Sequence, residues 1–582
     1  MSNYRYWLGG AFVLAVLAFI PSTGSAYTTT LLFTMLISYA LAQSWDWVGG
    51  EAGYINLAHF AFYGIGAYGF CLSLLAGVPI ILCFVIAVVA TSIIAFIVSF
   101  PLFRLRGDYF AFATLALLPL TELLAFNFHF TGGADGVVLP PKYVLFEAYY
   151  IAIGLVGLTA ITTVWLIRTR FGYALKALRN DEEAAEICGI RIFPAKSKVL
   201  ILSAAFASIA GALQGWQLSY IDPTTVFGLD VALIPIAMAL LGGSGLLWGA
   251  VVGVIILSLF NQLLIVSLPI LQTAIFGLLL LLIGRYMPGG LLRSAVVRNN
   301  KWIGFLGREH DQFVRATVSA PTTDNLPLPK QPVATGEPVL ECRNVTMAFG
   351  GNVAVDDISL TINAGEIVGL VGTNGSGKTT LFNCISKVFE QKSGEIIFVG
   401  QDLAGARRDD ASKLGIGRTY QIPRPFSDLT VVENIAMPLM NRGDESASLA
   451  DSLGLATQFA AYVGLTEHLA ARADSLNLQQ KKALELARAL ACRPKLLLVD
   501  EVASGLTPME VRTFVNHIRE LRDEYGITII WVEHIFSALA QVVDRVIVLE
   551  QGSIIADGPL ADVVKDERVL STYLGSAATE DA

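Results

Sequence analysis

About ten apolar windows of membrane-spanning length occupy the first half of the chain. They fall near residues 5–21, 27–44, 54–76, 78–100, 109–128, 147–167, 197–219, 229–246, 247–268 and 270–287. A helix needs about 20 mostly apolar residues to cross a hydrocarbon core of about 30 Å. Because backbone polar groups in lipid must be satisfied within the segment itself, such windows predict helices. Residues 1–300 are therefore expected to form a multi-spanning α-helical membrane bundle.

Two of these windows leave alternatives open. Only the stretch Gly242–Leu246 separates the eighth window from the ninth, so nine spans or a re-entrant segment are alternatives to ten spans. The first run, Tyr6–Ile20, has the length of a signal-peptide core. No small-residue cleavage site leads from it into a soluble domain, and further windows follow directly, so we interpret it as an uncleaved first helix.

Basic residues concentrate in alternate loops between the windows. The most basic loop carries seven cations: Arg168, Arg170, Lys176, Arg179, Arg191, Lys196 and Lys198. Arg104 and Arg106 lie in another loop, whereas the loops at 127–142 and 220–230 hold at most one Lys. The positive-inside rule then predicts that the basic loops face the cytoplasm. With ten spans, both ends of the chain also lie in the cytoplasm.

The sequence changes character after residue 300. The overall composition of 54% hydrophobic and 15% charged residues conceals this change, because the apolar excess lies almost wholly before that point. We assign residues 301–337, which include a Pro-rich polar stretch, to a cytoplasmic linker. We interpret the linker as a tether, with a docking motif as the alternative. Residues 338–578 have the pattern of a soluble α/β domain.

Charge and cysteine content exclude some classes of function. A net charge of -8 and a pI of 5.4 give no electrostatic attraction for nucleic acid. The six cysteines are scattered, without a CxxC pair or a nearby histidine cluster. This spacing favours reduced, packed cysteines over a metal or disulfide framework.

A glycine-rich loop in the C-terminal half predicts a phosphate-binding site. It follows the apolar strand Glu366–Val371 and precedes a helical run that begins at Leu381. Nine residues form the loop and the start of that helix: Gly372, Thr373, Asn374, Gly375, Ser376, Gly377, Lys378, Thr379 and Thr380. The glycines allow backbone N–H groups to close around phosphates, and the helix N-terminus adds partial positive charge. In such a P-loop, the lysine neutralises the β- and γ-phosphates and Thr379 ligates Mg²⁺.

A second acidic element fits the same chemistry. The apolar run Leu496–Val499 leads directly into Asp500 and Glu501. At the carboxyl end of a buried strand, Asp500 is expected to hold Mg²⁺ or its water ligand. Glu501 is expected to polarise the attacking water as general base. Together with the P-loop, these carboxylates predict a nucleotide hydrolase.

From about residue 339 to 578 the chain resembles an ABC ATPase, specifically the ATPase of branched-chain amino acid importers. The resemblance implies ATP and Mg²⁺ as cofactors. It also implies that Phe349 stacks on adenine and that Gln421, in Arg418-Thr-Tyr-Gln421, is the Q-loop glutamine that contacts Mg²⁺ and senses the permease. His534, after the strand Ile527–Glu533, corresponds to the switch histidine that contacts the γ-phosphate.

The signature motif departs from this family. Its Leu-Ser-Gly-Gly-Gln pattern aligns with Leu476–Gln480, where Asn477 replaces the serine and both glycines are absent. In the dimers of this family, each ATP lies between one subunit's P-loop and the other's signature. Without the glycines, close backbone approach to a γ-phosphate is hindered. We therefore expect two unequal ATP sites in a heteromeric assembly, and a homomeric assembly remains the alternative.

The N-terminal half resembles the permeases of the same importers. The matching motifs are short, and they occur in order: Gly53–His59, Gly64–Tyr68, Arg104–Tyr109, Thr131–Gly136 and Leu241–Gly245. The most basic loop contains Glu183-Ala-Ala185 followed by Gly189, which resembles the coupling helix that docks a permease on its ATPase. Taken alone, this stretch indicates only an amphipathic surface helix.

These resemblances imply a fused subunit of an ABC importer. The expected partners are membrane lipid, an external solute-binding protein, a second permease and a second ATPase. The expected location is a bacterial plasma (inner) membrane with the ATPase domain in the cytoplasm. Branched-chain amino acids are the favoured cargo, and urea, amides or aromatic acids are alternatives. A homodimeric ABC exporter and a nucleotide-gated channel are the other functions considered.

Overall fold

The computed structural model describes residues 3–140, 142–267, 272–286, 289–294, 326–330, 336–442, 448–533 and 539–570. The chain divides into two compact units. The membrane unit comprises Met1–Arg179 and Phe193–Gln312, and the C-terminal unit comprises Asn180–Ile192 and Phe313–Ala582. Asn180–Ile192, here called the docking segment, thus interrupts the membrane unit in sequence but packs with the C-terminal unit.

Helices form at each of the ten windows. The helices up to residue 286 are α1 Asn3–Thr23, α2 Ala26–Asp46, α3 His59–Leu75, α4 Ile80–Leu102, α5 Asp108–Asn127, α6 Leu145–Arg168, α7 Arg170–Asn180, α8 Glu182–Ile187, α9 Ile192–Leu218, α10 Pro223–Phe227, α11 Leu229–Gly242, α12 Gly249–Ser267 and α13 Gln272–Tyr286. In the described residues, five stretches are long and apolar enough to cross a membrane: Ile80–Leu102, Asp108–Asn127, Leu145–Arg168, Ile192–Leu218 and Pro223–Gly242. This pattern confirms the expected multi-helix membrane bundle.

The chain between α2 and α3 departs from the simple window prediction. A π-helix at Trp47–Glu51 continues α2, and residues 52–58 have no regular structure, so α3 begins only at His59. The window 54–76 placed this start too early. The Asn56 side chain accepts a hydrogen bond from the Ala58 amide at 3.0 Å, and its carbonyl accepts one from Trp45 Nε1 at 2.7 Å. These bonds satisfy backbone groups that a helix would otherwise pair.

A buried polar network follows this break. His59 is fully buried and lies between two serine hydroxyls, with Nε2 3.2 Å from Ser44 Oγ and Nδ1 3.2 Å from Ser203 Oγ. Ser203 Oγ also donates to the carbonyl of Ser44 at 2.7 Å. The network connects α2, α3 and α9, which agrees with the general rule that buried polar groups are hydrogen-bonded.

The loops expected to face outward pair with each other. Strand β1 (Val137–Val138) is antiparallel to β2 (Tyr220–Ile221). Short 3-10 turns at His129–Thr131 and Gly133–Asp135 precede β1. The pairing brings the predicted outward loops at 127–142 and 220–230 together, as the charge pattern requires if they share one face.

Two β-sheets and surrounding helices build the C-terminal unit. The strands are β3 Pro338–Phe349, β4 Asn352–Asn363, β5 Ile367–Gly372, β6 Ser393–Phe398, β7 Gln401–Asp402, β8 Ile416–Arg418, β9 Leu496–Asp500, β10 Thr528–Val532, β11 Arg545–Glu550 and β12 Ser553–Gly558. The helices are α14 Lys378–Ile385, α15 Arg408–Leu414, α16 Val431–Asn441, α17 Leu449–Tyr462, α18 Leu478–Ala491, α19 Pro508–Asp523 and α20 Leu560–Val563.

The larger sheet places the phosphate loop beside the acidic strand end. Its order is β12-β11-β5-β10-β9-β8, parallel except for β12. Strands β5, β9 and β10 are buried along their whole length, which explains their continuous apolar sequences. Ligands bind beyond the carboxyl ends of such parallel strands. The smaller sheet is antiparallel, with order β4-β3-β6-β7.

Part of the linker contacts the C-terminal unit. Leu326 is buried, and Lys330 Nζ lies 2.6 Å from Glu524 Oε2 just beyond α19. The Lys330 ammonium also lies 6.0 Å from the centre of the Tyr525 ring. Residues 326–330 thus contact the C-terminal unit, and residues 301–325 and 331–335 of the predicted linker lie outside the described residues.

Candidate nucleotide site and docking segment

The glycine-rich loop has the backbone shape that phosphate binding requires. Gly375 and Gly377 have φ values of +81° and +101°, in the left-handed region that favours glycine. A Cβ on Gly377 would lie 2.3 Å from the Ala354 carbonyl oxygen, so no larger residue fits there. Lys378 Nζ donates to the carbonyls of Gly372 at 2.8 Å and Thr373 at 2.9 Å. The ammonium thus lies within the loop that would surround the phosphates.

The acidic residues lie directly across from this loop. Asp500 is buried at the end of β9, and burial raises the pKa of its carboxyl. Burial lowers the pKa of Lys378, while the nearby carboxylates of Glu501 and Asp500 oppose this shift. Strands β5 and β9 both pair in parallel with β10, so the P-loop and the acidic strand end lie at the same edge of the larger sheet.

Glu501 is held in an unusual conformation. Its φ is +44°, which is rare for a residue with a side chain. Its amide donates to the Val532 carbonyl at 2.9 Å, and Oε2 accepts from Gln421 Nε2 at 2.5 Å. The structure therefore brings together Gln421 and Glu501, which are 80 residues apart in the sequence.

Of the remaining predicted site residues, Phe349 and Thr379 belong to the described part of the chain and His534 does not. Phe349, at the end of β3, is 45% exposed and packs edge-on against Phe389 at 5.2 Å between ring centres. This leaves a ring face accessible. Thr379 is exposed near the start of α14. His534 lies outside the described residues.

The oxygen donors near the loop suit Mg²⁺. Thr379 offers a hydroxyl, Gln421 an amide and Asp500 a carboxylate, and Mg²⁺ prefers such hard oxygen ligands. Among the described residues, no group of three or more His, Cys, Asp or Glu side chains could hold a metal ion.

Sequence reasoning missed Arg418, which links three parts of the site. Its side chain is buried at the end of β8, and Nη1 donates to Asn383 Oδ1 at 2.7 Å and Ser386 Oγ at 2.8 Å. Nη2 lies 3.8 Å from Asp500 Oδ2. Arg418 thus joins the helix after the P-loop to the acidic strand. Its position three residues before Gln421 was the only sequence signal.

Lys482 and Glu533 were also missed, and both hold the loop after Glu501. Lys482 Nζ donates to the carbonyls of Val502 at 2.7 Å and of Ser504. Glu533 Oε1 accepts from the Ala503 amide at 2.6 Å. Both side chains are buried. Because Lys482 belongs to α18, the helix after the signature is bonded directly to the loop that follows Glu501.

The signature residues cap the helix that follows them. Asn477 is the N-cap of α18, and its Oδ1 accepts from the Gln480 amide at 2.9 Å. The Gln480 side chain accepts from the Asn477 amide at 3.0 Å, and Nε2 lies 2.8 Å from His468 Nε2. This capping box occupies first-turn groups that would otherwise be available to an anion.

Ion pairs join the docking segment to the rest of the C-terminal unit, and each side contributes both arginine and acidic side chains to them. The three shortest pairs between them are Arg424–Glu183 at 2.7 Å, Arg408–Glu186 at 3.0 Å and Arg191–Asp409 at 3.2 Å. Between these pairs, the apolar side chains of Ala185, Ile187 and Cys188 are buried. Gly189 follows the short helix with a φ of +82°. It packs closely against Asn441, since a Cβ on Gly189 would lie 3.3 Å from the Asn441 carbonyl oxygen.

Arg424 connects the docking segment to the signature helix. Its amide donates to Glu485 Oε1 at 2.8 Å, and its carbonyl accepts from Arg488 Nη1 at 2.9 Å. Burial alone would lower the pKa of Arg424, but the bond to Glu183 and the nearby acids outweigh it and raise that pKa. Arg424 follows Gln421 by three residues, so one loop contacts the docking segment, α18 and Glu501.

Comparison with known proteins supports both halves. Residues 10–284 match the family model described as branched-chain amino acid transport system / permease component, and residues 355–504 match the ABC transporter model. The chain is 32% identical over 253 residues to LivG, a high-affinity branched-chain amino acid transport ATP-binding protein of Escherichia coli (strain K12). That match covers 41% of this chain and 99% of LivG.

A second curated protein and a solved structure are also similar to this chain. BraF of Pseudomonas aeruginosa, a high-affinity branched-chain amino acid transport ATP-binding protein, is 31% identical over 257 residues, covering 41% of this chain and 99% of BraF. Among solved structures, the ADP conformation of the ABC transporter cassette MJ1267 is 28% identical and covers 41% of this chain and all of that one, with a TM-score of 0.37.

The P-loop, the acidic strand end and the docking segment are therefore found in a chain whose two halves match a permease model and an ATPase model. LivG is covered almost completely at 32% identity. The chain belongs to the branched-chain amino acid family of ABC transport proteins and carries the permease component and the ATP-hydrolysing component in one polypeptide.

Proposed function

We propose that this chain drives ATP-dependent import of branched-chain amino acids as the fused permease and ATPase subunit of a heteromeric transporter. The observation that carries the proposal is the docking segment. Asn180–Ile192 lies within the part of the sequence that matches the permease model, yet it packs with the ATPase. A permease loop held to an ATPase by ion pairs is suited to pass nucleotide-dependent movement to membrane helices.

The proposed location is the bacterial inner membrane, with the ATPase in the cytoplasm. The docking segment belongs to the most basic loop, which the positive-inside rule assigns to the cytoplasm. The contact between this loop and the ATPase supports the assignment, because ATP is available on that side.

The proposed roles in nucleotide binding follow the positions of the side chains. Phe349 stacks on the adenine, and the residues from Gly372 to Thr380 surround the phosphates with Lys378 as the neutralising cation. Thr379, Gln421 and Asp500 would hold Mg²⁺, which when bound neutralises phosphate charge.

Glu501 is the proposed general base for the attacking water. Gln421, 2.5 Å from its carboxylate, orients Glu501 and reports the state of the docking segment through Arg424. His534 is proposed to contact the γ-phosphate. In the proposed cycle, ATP closes this ATPase against the partner ATPase, and cleavage of the γ-phosphate reopens the pair and resets the membrane helices.

The degenerate signature supports a heteromeric assembly. A partner ATPase with an intact signature would complete the site that uses this chain's P-loop. The site that uses Asn477 and Leu478 would be weaker, because the capping box occupies first-turn amides and glycines are absent. The further proposed partners are a second permease and an external solute-binding protein.

Uptake into liposomes tests the function and the cargo together. The assembled transporter is reconstituted with ATP inside and the binding protein with labelled leucine outside. We expect leucine entry only with hydrolysable ATP and only with the binding protein, and competition by isoleucine and valine. Stronger competition by urea, an amide or an aromatic acid would reject the cargo. Outward movement, or entry without hydrolysis, would reject the importer in favour of an exporter or a channel.

A further inference from the structure

Arg179 is the last residue of the membrane unit before the chain enters the docking segment. It lies near the end of α7, and its side chain is only partly exposed. Nη1 donates a hydrogen bond to the carbonyl of Gly50 at 2.5 Å. Gly50 belongs to the π-helix at Trp47–Glu51, so the contact joins positions 129 residues apart.

Glycines form the pocket that holds this side chain, here called the Arg179 pocket (Gly50, Gly53 and Gly245). A Cβ on Gly53 would lie 2.7 Å from Arg179 Cγ, and its φ of +78° also favours glycine. A Cβ on Gly245 would lie 3.6 Å from Arg179 Nη1 and 3.1 Å from Arg293 Nη2. The pocket therefore depends on the absence of a side chain at Gly53, against which the Arg179 side chain packs closely.

The same pocket is fixed to the end of α2. The carboxylate of Asp46, which is 3% exposed, accepts hydrogen bonds from Ser244 Oγ at 2.6 Å and from the Gly245 amide at 2.8 Å. A Cβ on Gly50 would lie 2.0 Å from Asp46 Oδ1. The loop between α11 and α12 is thereby attached to the π-helix at the point that Arg179 contacts.

Movement of the π-helix at Trp47–Glu51 would reach the buried polar network of the helix bundle. The π-helix leads into the irregular stretch 52–58 and then to His59, which contacts Ser44 and Ser203. A π-helix has i→i+5 hydrogen bonds and is wound more loosely than an α-helix, and it often marks a functional site.

We infer that Arg179 is a positioning residue through which displacement of the docking segment is passed to the π-helix at the end of α2. This inference rests on the proposed import function and adds the residue that links ATP hydrolysis to solute movement. The docking segment is held to the ATPase by its ion pairs, and the chain returns to the membrane unit at its two ends, Arg179 and Phe193. Arg179 is the end that is hydrogen-bonded to the π-helix. The bond to Gly50 transmits that displacement along α2.

The test measures ATP hydrolysis and solute uptake in the same vesicles, using the fully assembled transporter. In Arg179→Met, we expect hydrolysis to persist while uptake per ATP falls about tenfold or more, as loss of a charged hydrogen bond predicts. Arg179→Lys can still donate to the Gly50 carbonyl and should keep a clearly higher uptake per ATP. Lys198→Met, which removes an exposed cation from α9, is the matched control and should behave as wild type.

A second variant keeps the arginine and fills its pocket. Gly53→Ala introduces a Cβ against Arg179 and should lower uptake per ATP in the same way. A parallel loss of hydrolysis and uptake in the Arg179 variants, or an unchanged ratio in Arg179→Met or Gly53→Ala, would overturn the inference. If Arg179→Met fails to assemble, Arg179→Lys and Gly53→Ala decide the result. Absence of ATP-driven uptake in the wild type would instead reject the proposed function.

Discussion

At the scale of single residues, Glu501 combines features that an ordinary loop carboxylate lacks. Its backbone is in the left-handed region, its amide is bonded to Val532, and its side chain is bonded to Gln421. Lys482 holds the loop that follows it from the signature helix. Such constraints fix the carboxylate before substrate arrives, which is what positioning of a water molecule requires.

Mutation of Glu501 and Asn477 tests the inequality of the two ATP sites. We expect Glu501→Gln to bind ATP normally but to reduce hydrolysis by roughly 10²–10⁴-fold, the usual contribution of a general base. Asn477→Ala should reduce hydrolysis much less, because its site is the weaker one. The readouts are steady-state phosphate release and nucleotide binding by the assembled complex.

A conservative variant controls for loss of folding at the signature. Asn477→Ser keeps an N-cap oxygen, whereas Asn477→Ala removes it at a cost of about 1 kcal/mol of stability. A loss caused only by the cap would therefore be absent from Asn477→Ser. Comparably large losses of hydrolysis from Glu501→Gln and from both Asn477 variants would contradict unequal sites.

At the scale of elements, the docking segment combines a short helix with charged side chains of both signs. Asp181 is the N-cap of α8 and accepts from the Ala184 amide at 2.9 Å. The side chains of Glu183 and Arg424 are 36% and 39% exposed, so solvent weakens this pair and its main role is to set the docking position. The buried apolar residues of the segment supply the adhesion.

Charge reversal in the ion pair between Arg424 and Glu183 tests whether this pair sets the position of the docking segment. Arg424→Glu would place a carboxylate beside Glu183 and Asp181, and uptake should fall about three- to fivefold, as a partly exposed pair predicts. The double variant Arg424→Glu with Glu183→Arg restores opposite charges and should recover much of the uptake. The bonds of the Arg424 backbone to Glu485 and Arg488 do not depend on its side chain and remain available in both variants.

The matched control reverses a charge away from the docking segment. Arg343→Glu changes an exposed side chain on β3 that pairs with Glu341 and should leave uptake unchanged. If the double variant is no better than Arg424→Glu alone, the ion pair does not set the docking position.

The sequence predicted the elements whose signals are local. The membrane windows, the glycine loop and the acidic strand end each depend on neighbouring residues, and helices and strands occur at those places. The bond between Gln421 and Glu501 and the role of Arg418 depend on strands that are distant in sequence. The π-helix at Trp47–Glu51 was missed because apolar content alone does not distinguish helix types.

At the scale of the whole molecule, one polypeptide contains both the permease component and the ATP-hydrolysing component. The permease sequence contributes the docking segment to the ATPase unit, and the linker residues 326–330 are attached to that same unit. A tether alone would give only a high local concentration of the two components. The contact between the docking segment and the ATPase instead allows nucleotide-dependent movement to do work on the membrane helices. This is because the docking segment can take two positions that differ in energy.

The most direct test of this link is to measure solute entry and ATP hydrolysis together in vesicles that contain the assembled wild-type transporter or its Glu501→Gln variant. We predict that the wild type takes up solute in proportion to the ATP hydrolysed, and that Glu501→Gln loses both activities while it still binds ATP. Continued uptake by the variant, or hydrolysis by the wild type without any solute entry, would contradict the coupling of the two units.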